Sequence, residues 1–573
     1  MKKVHLILLM AFAVTVAFTA SGCSGLKKMR KKADTVQYTT NPNPLEVHGG
    51  VVAVDVAVNY PKRYFAKKVT LDATPVLKYS AGSKDLQKFA AQGQKVRGNN
   101  KVIVKKTGGT VNYSDKFAYT PDMQASELFA QIVGSKKKKS LEFPQVKLAD
   151  GIIATSQLLS VAPKPVIGKD TYKRITEDAI EGQIMYQINR AEVRKSELQG
   201  ESIQKLKEEM AAAKANERVE IKGAQVLAYA SPDGAFDFNA NLSDKRKGTA
   251  QSVFVKELSA AKIAENSGDD FLQLLNTPED WEGFKTLMEQ SSIKDKELIL
   301  RVLSMYSDPE VREREIKNLS AAFTEIKDQI LPQLRRSRLR LNLNIIGLSD
   351  DEIREISKTN PSALKIEEIL YAATLTQDLK EKAAIYEAAV KSYPNDWRTK
   401  NNLGAIYLQS GRVADAESLF AAARQLKDDA AVQNNLGAVA MVKGDFAKAE
   451  ELYNAAAGAG AEVNYNKGML NVSKGKYSEA ITLFGNEADV NAALAKLLAK
   501  DNNGALTILN SIQNPSPLAY YLKAVVGART ANADLVYTNL REASKDAALK
   551  ARAKSDFEFI KYANDATFKS IVQ

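Results

Sequence analysis

The chain has 573 residues, 45% of them hydrophobic and 26% charged, with a formal charge of +13, one cysteine and two histidines. At roughly 150 residues per domain, the length predicts three or four domains. A single cysteine excludes internal disulfides and any zinc site built on several cysteines; His5 falls in a leader segment, so His48 alone remains, too few for a histidine triad or proton relay.

Residues 1–22 read as an export signal. Lys2 and Lys3 supply the positive start, "VHLILLMAFAVTVAFTA" the apolar stretch, and small residues follow. The stretch is too short and wrongly flanked to remain as a membrane span. Its end, "TASGC", resembles a bacterial lipobox, with Ala20 where leucine is usual and Gly22 before Cys23. The resemblance implies lipidation at Cys23. Each buried acyl CH₂ contributes roughly 0.8 kcal/mol, so several chains anchor stably. Ser24 and the absence of an acidic run after it imply the outer membrane, facing the periplasm. The basic run "SGLKKMRKK" either sits against anionic lipid heads or is a solvated linker. Behind an export signal, positive charge points to anionic lipid or cell-wall polymer and not to nucleic acid.

Residues 23–46 then form the lipidated cysteine and a polar, proline-containing tether. Residues 47–168 carry β signals. In "VVAVDVAVNY", Val52, Val54, Val56 and Val58 alternate with Ala and Asp, the period of a half-buried strand. Several such runs predict a β-sandwich-like domain, interrupted by one short helix at "DMQASELFAQIVG". "SKKKKS" is an exposed loop or a polymer-binding patch.

Residues 169–348 change to mixed α+β. "AIEGQIMYQINRA" predicts a strand, "KSELQGESIQKLKEEMAAAKA" a helix, "ERVEIKGAQVLAYA" a strand and "NANLSDKRKGTAQSVFVKEL" a helix. A helical insert, 265–327, begins with "DFLQLLN". A closing strand follows, with Leu339, Leu341, Leu343 and Ile345 on one face and Arg338, Arg340, Asn342 and Asn344 on the other.

Residues 349–573 read as all-α and repetitive. Gly404 and Gly437 are 33 apart, and Gly437 and Gly468 are 31 apart. Trp397, Leu403, Gly404, Tyr407, Ala416, Phe420 and Ala423 fit one unit of the tetratricopeptide repeat, which this region resembles over five or six units. Small residues at Gly404 and Ala416 let paired helices approach, and stacked pairs offer a surface for a protein partner.

The stretch "ASPDGAFDFNANLSDKRKG" places Gly234, Asn239, Leu242, Ser243 and Arg246 at the offsets of the OmpA-like cell-wall-binding domain, which residues 169–348 resemble. The resemblance implies a peptidoglycan site at Ser231, Asp233, Asn239 and Arg246. Arg246 would take a stem-peptide carboxylate through two parallel hydrogen bonds, with Asn239 beside it. The family's Asp aligns with Ser231; Asp233 is two residues on, inside the turn. On the residues alone, Pro232, Asp233 and Gly234 make a tight turn, Asn239 caps the helix, and Arg246 is solvated or ion-paired.

No catalytic constellation, metal site or cofactor is expected: the carboxylates lie in charged helices such as "EVREREIK", and "KTGGT" lacks the order of a phosphate loop. Together the resemblances imply a non-enzymatic, lipid-anchored periplasmic adaptor that binds peptidoglycan and a protein partner. The alternative is a structural subunit or assembly factor of an envelope secretion or surface-fibre machinery, without wall binding.

Overall fold

The computed structural model describes residues 24–263, 270–318 and 320–573. They divide into two compact units. One joins the residues up to Lys169 with Asp378–Gln573; the other is Asp170–Gln377.

The first unit opens with two sheets that share one apolar core. In one, Val51–Tyr60 pairs antiparallel with Gln37–Asn41, Leu45–His48 and Gly109–Ala118. In the other, Thr70–Tyr79 pairs antiparallel with Ser126–Lys136 and Phe89–Gly93. Val52, Val54, Val56 and Val58 all point inward, as their alternation predicts.

Two expectations are corrected here. The tether over residues 23–46 is folded from Ser24 onward: Ser24–Arg30 is a helix that buries Leu26 and Met29, and Gln37–Asn41 is a paired strand. Its polar composition belongs to a strand with one wet face, which composition alone does not separate from a linker. The helix expected at "DMQASELFAQIVG" is a 3₁₀ turn, Pro121–Met123, followed by the strand Ser126–Lys136. There Ser126, Leu128, Ala130 and Ile132 face the core with period two, and pairing on both edges overrides local helix propensity.

From Leu379 the first unit is helical. The helix Leu379–Ser392 leads into five hairpins: Trp397–Gln409 with Val413–Leu426, Ala430–Val442 with Phe446–Ala455, Ala461–Ser473 with Tyr477–Phe484, Val490–Leu498 with Asn502–Ser511, and Pro517–Arg529 with Ala533–Ala543. The glycine of each of the first three seats an aromatic ring. A Cβ at Gly404, Gly437 or Gly468 would lie 2.7 Å from Phe420, Tyr453 or Phe484, respectively.

The second unit is a four-stranded sheet in the order Ile175–Met185, Arg336–Ile346, Val219–Tyr229, Leu272–Thr277. The first three strands are antiparallel neighbours, and the last runs parallel to Val219–Tyr229. Glu201–Ala215 and Phe236–Ala260 cover one face around Leu206, Phe254, Leu339 and Leu341. "DFLQLLN", expected as helix, supplies the edge strand Leu272–Thr277, because the open edge of Val219–Tyr229 pairs its backbone. The helices after it bury a core of their own, with Phe284, Met288 and Ile299. The repeat boundary expected at 349 moves to Leu379. Asp350–Thr359 and Ile366–Ala372 belong to the second unit, where Tyr371 stacks on Tyr172 and Glu352 pairs with Arg218.

Candidate functional sites

The turn after Val219–Tyr229 and the start of Phe236–Ala260 bring together the four residues expected to bind a wall peptide. Ser231, Asn239 and Arg246 are buried, and Arg246 is 0% exposed. Its Nε donates to the Arg190 carbonyl at 3.0 Å, Nη1 to Tyr229 at 2.9 Å and Nη2 to Gln187 at 3.3 Å. The guanidinium lies over the Tyr186 ring, 5.0 Å from its centre. Burial pushes its pKa down to about 10. Asn239 Nδ2 donates to the carbonyls of Ser231 and Gly234 at 3.2 and 3.0 Å. Ser231 Oγ donates to Asp233 at 2.5 Å, and Arg335 pairs with the other Asp233 oxygen at 3.3 Å.

In these contacts Arg246 and Asn239 bond to main-chain carbonyls of their own unit. The fork ties a strand end and a loop together through their carbonyls, and Asn239 closes the turn. Arg335, which no sequence motif marked, is the cation that answers Asp233. Cys23, the expected lipidation residue, lies outside the described residues.

A cleft of about 740 Å³ in the same unit is lined by Tyr229, Asp280, Trp281, Gln333, Arg336 and Arg338, among others. Burial raises the Asp280 carboxyl, although the Arg336 guanidinium lies 2.8 Å away. Among the described residues no cluster of His, Cys, Asp or Glu is arranged to hold a metal ion, and no helix is long and apolar enough to cross a membrane.

The first helices of the hairpins carry the most organised polar array. Asn401, Asn402, Asn434, Asn435, Asn466 and Asn491 are all at most 1% exposed, yet each is hydrogen-bonded. They grip the segment between Leu159 and Lys169, the connection that leaves the β domain, and it lies across them as an extended strap.

Asn491 donates to the Ser160 carbonyl at 2.9 Å and accepts from its N–H at 2.9 Å. Asn466 does the same to Lys164, at 2.8 and 2.8 Å. Asn435 does so to Val166, accepting at 2.7 Å and donating at 2.8 Å, and Asn402 to Gly168, at 2.7 and 2.9 Å. Asn434 and Asn401 add donors to the Lys164 and Val166 carbonyls. The amides also join one another in a chain: Asn466 to Asn434, Asn434 to Asn435, Asn435 to Asn401 and Asn401 to Asn402.

A carboxamide carries a donor and an acceptor side by side, so it matches one residue of extended backbone as a neighbouring strand does. In an extended chain the N–H and C=O of every second residue face one way. Residues 164, 166 and 168 are therefore read, and Pro163 and Pro165 fall where no N–H is needed.

Side chains fix the register. The Lys164 ammonium lies 3.9 Å from the centre of the Tyr465 ring and 2.9 Å from Glu487. At Gly168 a Cβ would meet Arg398 Cγ at 2.8 Å. Upstream, Thr155 donates to Glu558 at 2.5 Å, Glu558 pairs with Arg529, and Arg552 donates to the Ala154 carbonyl at 2.7 Å. The ladder had a sequence signal that the repeat motif overshadowed: Asn-Asn-Leu-Gly recurs at 401–404 and 434–437.

Residues 382–431 and 434–496 match the tetratricopeptide repeat family model, so the C-terminal region carries these repeats, a type of element associated with protein–protein interaction. No curated protein matches the chain in sequence. Similar solved structures include a tetratricopeptide repeat protein from Parabacteroides merdae ATCC 43184, 12% identical over 39% of this chain and 89% of that one, TM-score 0.28. PilF of Pseudomonas aeruginosa is 12% identical over 39% of this chain and 97% of its own, TM-score 0.27. The Cut9–Hcn1 structure is 14% identical over 59% of this chain and 74% of the matched one, TM-score 0.30. At these scores nothing about function passes from them to this chain.

Proposed function

We propose that the protein is a non-enzymatic scaffold of a Gram-negative envelope, anchored through lipid at Cys23 in the outer membrane and facing the periplasm. In it the mixed α+β unit serves as a structural joint, and the repeats hold protein. The observation that carries this reading is the asparagine ladder, an array that binds polypeptide backbone and has no group suited to bond making or breaking.

The burial of Arg246 favours a structural subunit or assembly factor over a wall-binding adaptor. A guanidinium already bonded to three carbonyls has to abandon them before it takes a ligand carboxylate, and each orphaned carbonyl costs about 1–3 kcal/mol.

The test is purification of the full chain from membranes of its own cells after gentle cross-linking, alongside sedimentation with purified peptidoglycan. A stable protein partner, membrane release on Cys23→Ser and no sedimentation are expected. Strong sedimentation abolished by Arg246→Lys would replace the joint with the wall-binding adaptor.

A further inference from the structure

We propose that the strap is a self-ligand: the ladder face is a receptor for an extended peptide with a lysine between two prolines and a glycine four residues on, and a partner segment of that chemistry competes with the strap for it. This inference rests on the reading of the repeats as a protein-binding element and adds what that element recognises.

The recognition divides into two parts. The asparagines read only main chain, so they accept many sequences provided the segment is extended. Selectivity comes from three places. Tyr465 and Glu487 form an aromatic and acidic seat that Lys164 fills. Trp397 and Arg398 close on Gly168, where even a methyl group would collide. Pro163 and Pro165 hold the chain extended and lower the entropy lost on docking. An acidic segment, or one with a bulky residue at the glycine position, is rejected by the same contacts.

The strap is joined to the chain at both ends, so it occupies the face at an effective concentration in the millimolar range. A free peptide therefore competes poorly with the wild-type strap. A change that weakens the strap, while sparing the asparagines, exposes the receptor.

The probe is a fluorescein-labelled peptide with the sequence of residues 160–169, titrated into the full chain. Lys164→Gln, which removes the cation, and Gly168→Ala, which disturbs the other end, should each bind it at least ten-fold more tightly than wild type. Adding Asn435→Ala and Asn466→Ala should abolish the gain. A peptide with alanine in place of its lysine and glycine should bind at least ten-fold more weakly.

In the unmutated chain, millimolar peptide should speed thermolysin cleavage within the strap several-fold, which needs no altered protein. Equal binding by wild type and both strap variants, together with unchanged cleavage, overturns the proposal. So does capture that survives loss of the asparagines or ignores the peptide's lysine and glycine. Partner recovery from membranes does not depend on these outcomes, so failure here leaves the scaffold reading standing.

Discussion

Asn435 holds Val166 by both of its main-chain groups: the Val166 N–H donates to Oδ1 at 2.7 Å, and Nδ2 donates to the Val166 carbonyl at 2.8 Å. The same amide donates to Asn401 and accepts from Asn434, so one side chain joins strap, repeat and neighbouring repeat. Removing it orphans buried groups on three sides.

Asn435→Ala should therefore lower the stability of the first unit by about 2–4 kcal/mol, since each buried group left unpaired costs about 1–3 kcal/mol. Asn435→Asp should cost as much or more, because a carboxylate cannot donate to the Val166 carbonyl. Denaturant unfolding of the full chain measures both. A loss below 0.5 kcal/mol for either would contradict the ladder's role.

Gly404→Ala places a methyl group 2.7 Å from Phe420 and should destabilise the first hairpin by about 1–3 kcal/mol. Combining it with Phe420→Leu should recover part of the loss, since a smaller partner gives the methyl room. A double-mutant cycle checks this through a coupling of at least 0.5 kcal/mol, with additive losses as the contrary result.

Arg246→Ala should destabilise the second unit by about 2 kcal/mol or more, through the Arg190 and Tyr229 carbonyls that lose its donors; the Gln187 carbonyl keeps the Arg190 N–H. Peptidoglycan sedimentation should not change on substitution to Lys. A fully stable Arg246→Ala protein would mean that the guanidinium does not hold this end of the sheet together.

Acid should loosen the helix Asp350–Thr359. Glu352 accepts from the Ser349 N–H at 2.7 Å and pairs with Arg218 at 2.6 Å, and these bonds hold its pKa down to about 2. Its folded value lies below the unfolded value of about 4.3. The contribution is therefore fully present above about pH 4.5 and is lost as pH falls towards 2. Chemical shifts of the Ser349 and Glu352 amides should report the transition. In Glu352→Gln the pH dependence of these two shifts should flatten.

The β domain and the repeats were legible because their signals are periodic. Valines at every second position and glycines near every thirty-third are arranged by the packing they serve. Residues 37–41 and Leu272–Thr277 lack a clear strand pattern because edge strands are held by backbone pairing, which leaves little trace in side-chain pattern. In the "SPDG…N…R" stretch, Asn239 bonds back to Ser231 and Gly234, while Arg246 bonds to Tyr229 and to the loop at 187 and 190. Whether Arg246 faces solvent depends on loop carbonyls at 187 and 190, more than fifty residues upstream. Beyond the recurring Asn-Asn-Leu-Gly, the ladder is not legible in the sequence, because asparagine in a helix carries no apolar period and its partner lies more than two hundred residues away.

Amide hydrogen exchange across residues 160–168 tests the central claim most directly. The strap has no regular secondary structure; the Ala162 N–H bonds to the Ser160 carbonyl, while those of Lys164, Val166 and Gly168 are held by asparagine side chains. The N–H groups of Lys164, Val166 and Gly168 should exchange at least a hundred-fold more slowly than that of Ile167, and Asn435→Ala should release Val166. Uniform exchange at the rate of an open loop would contradict the account.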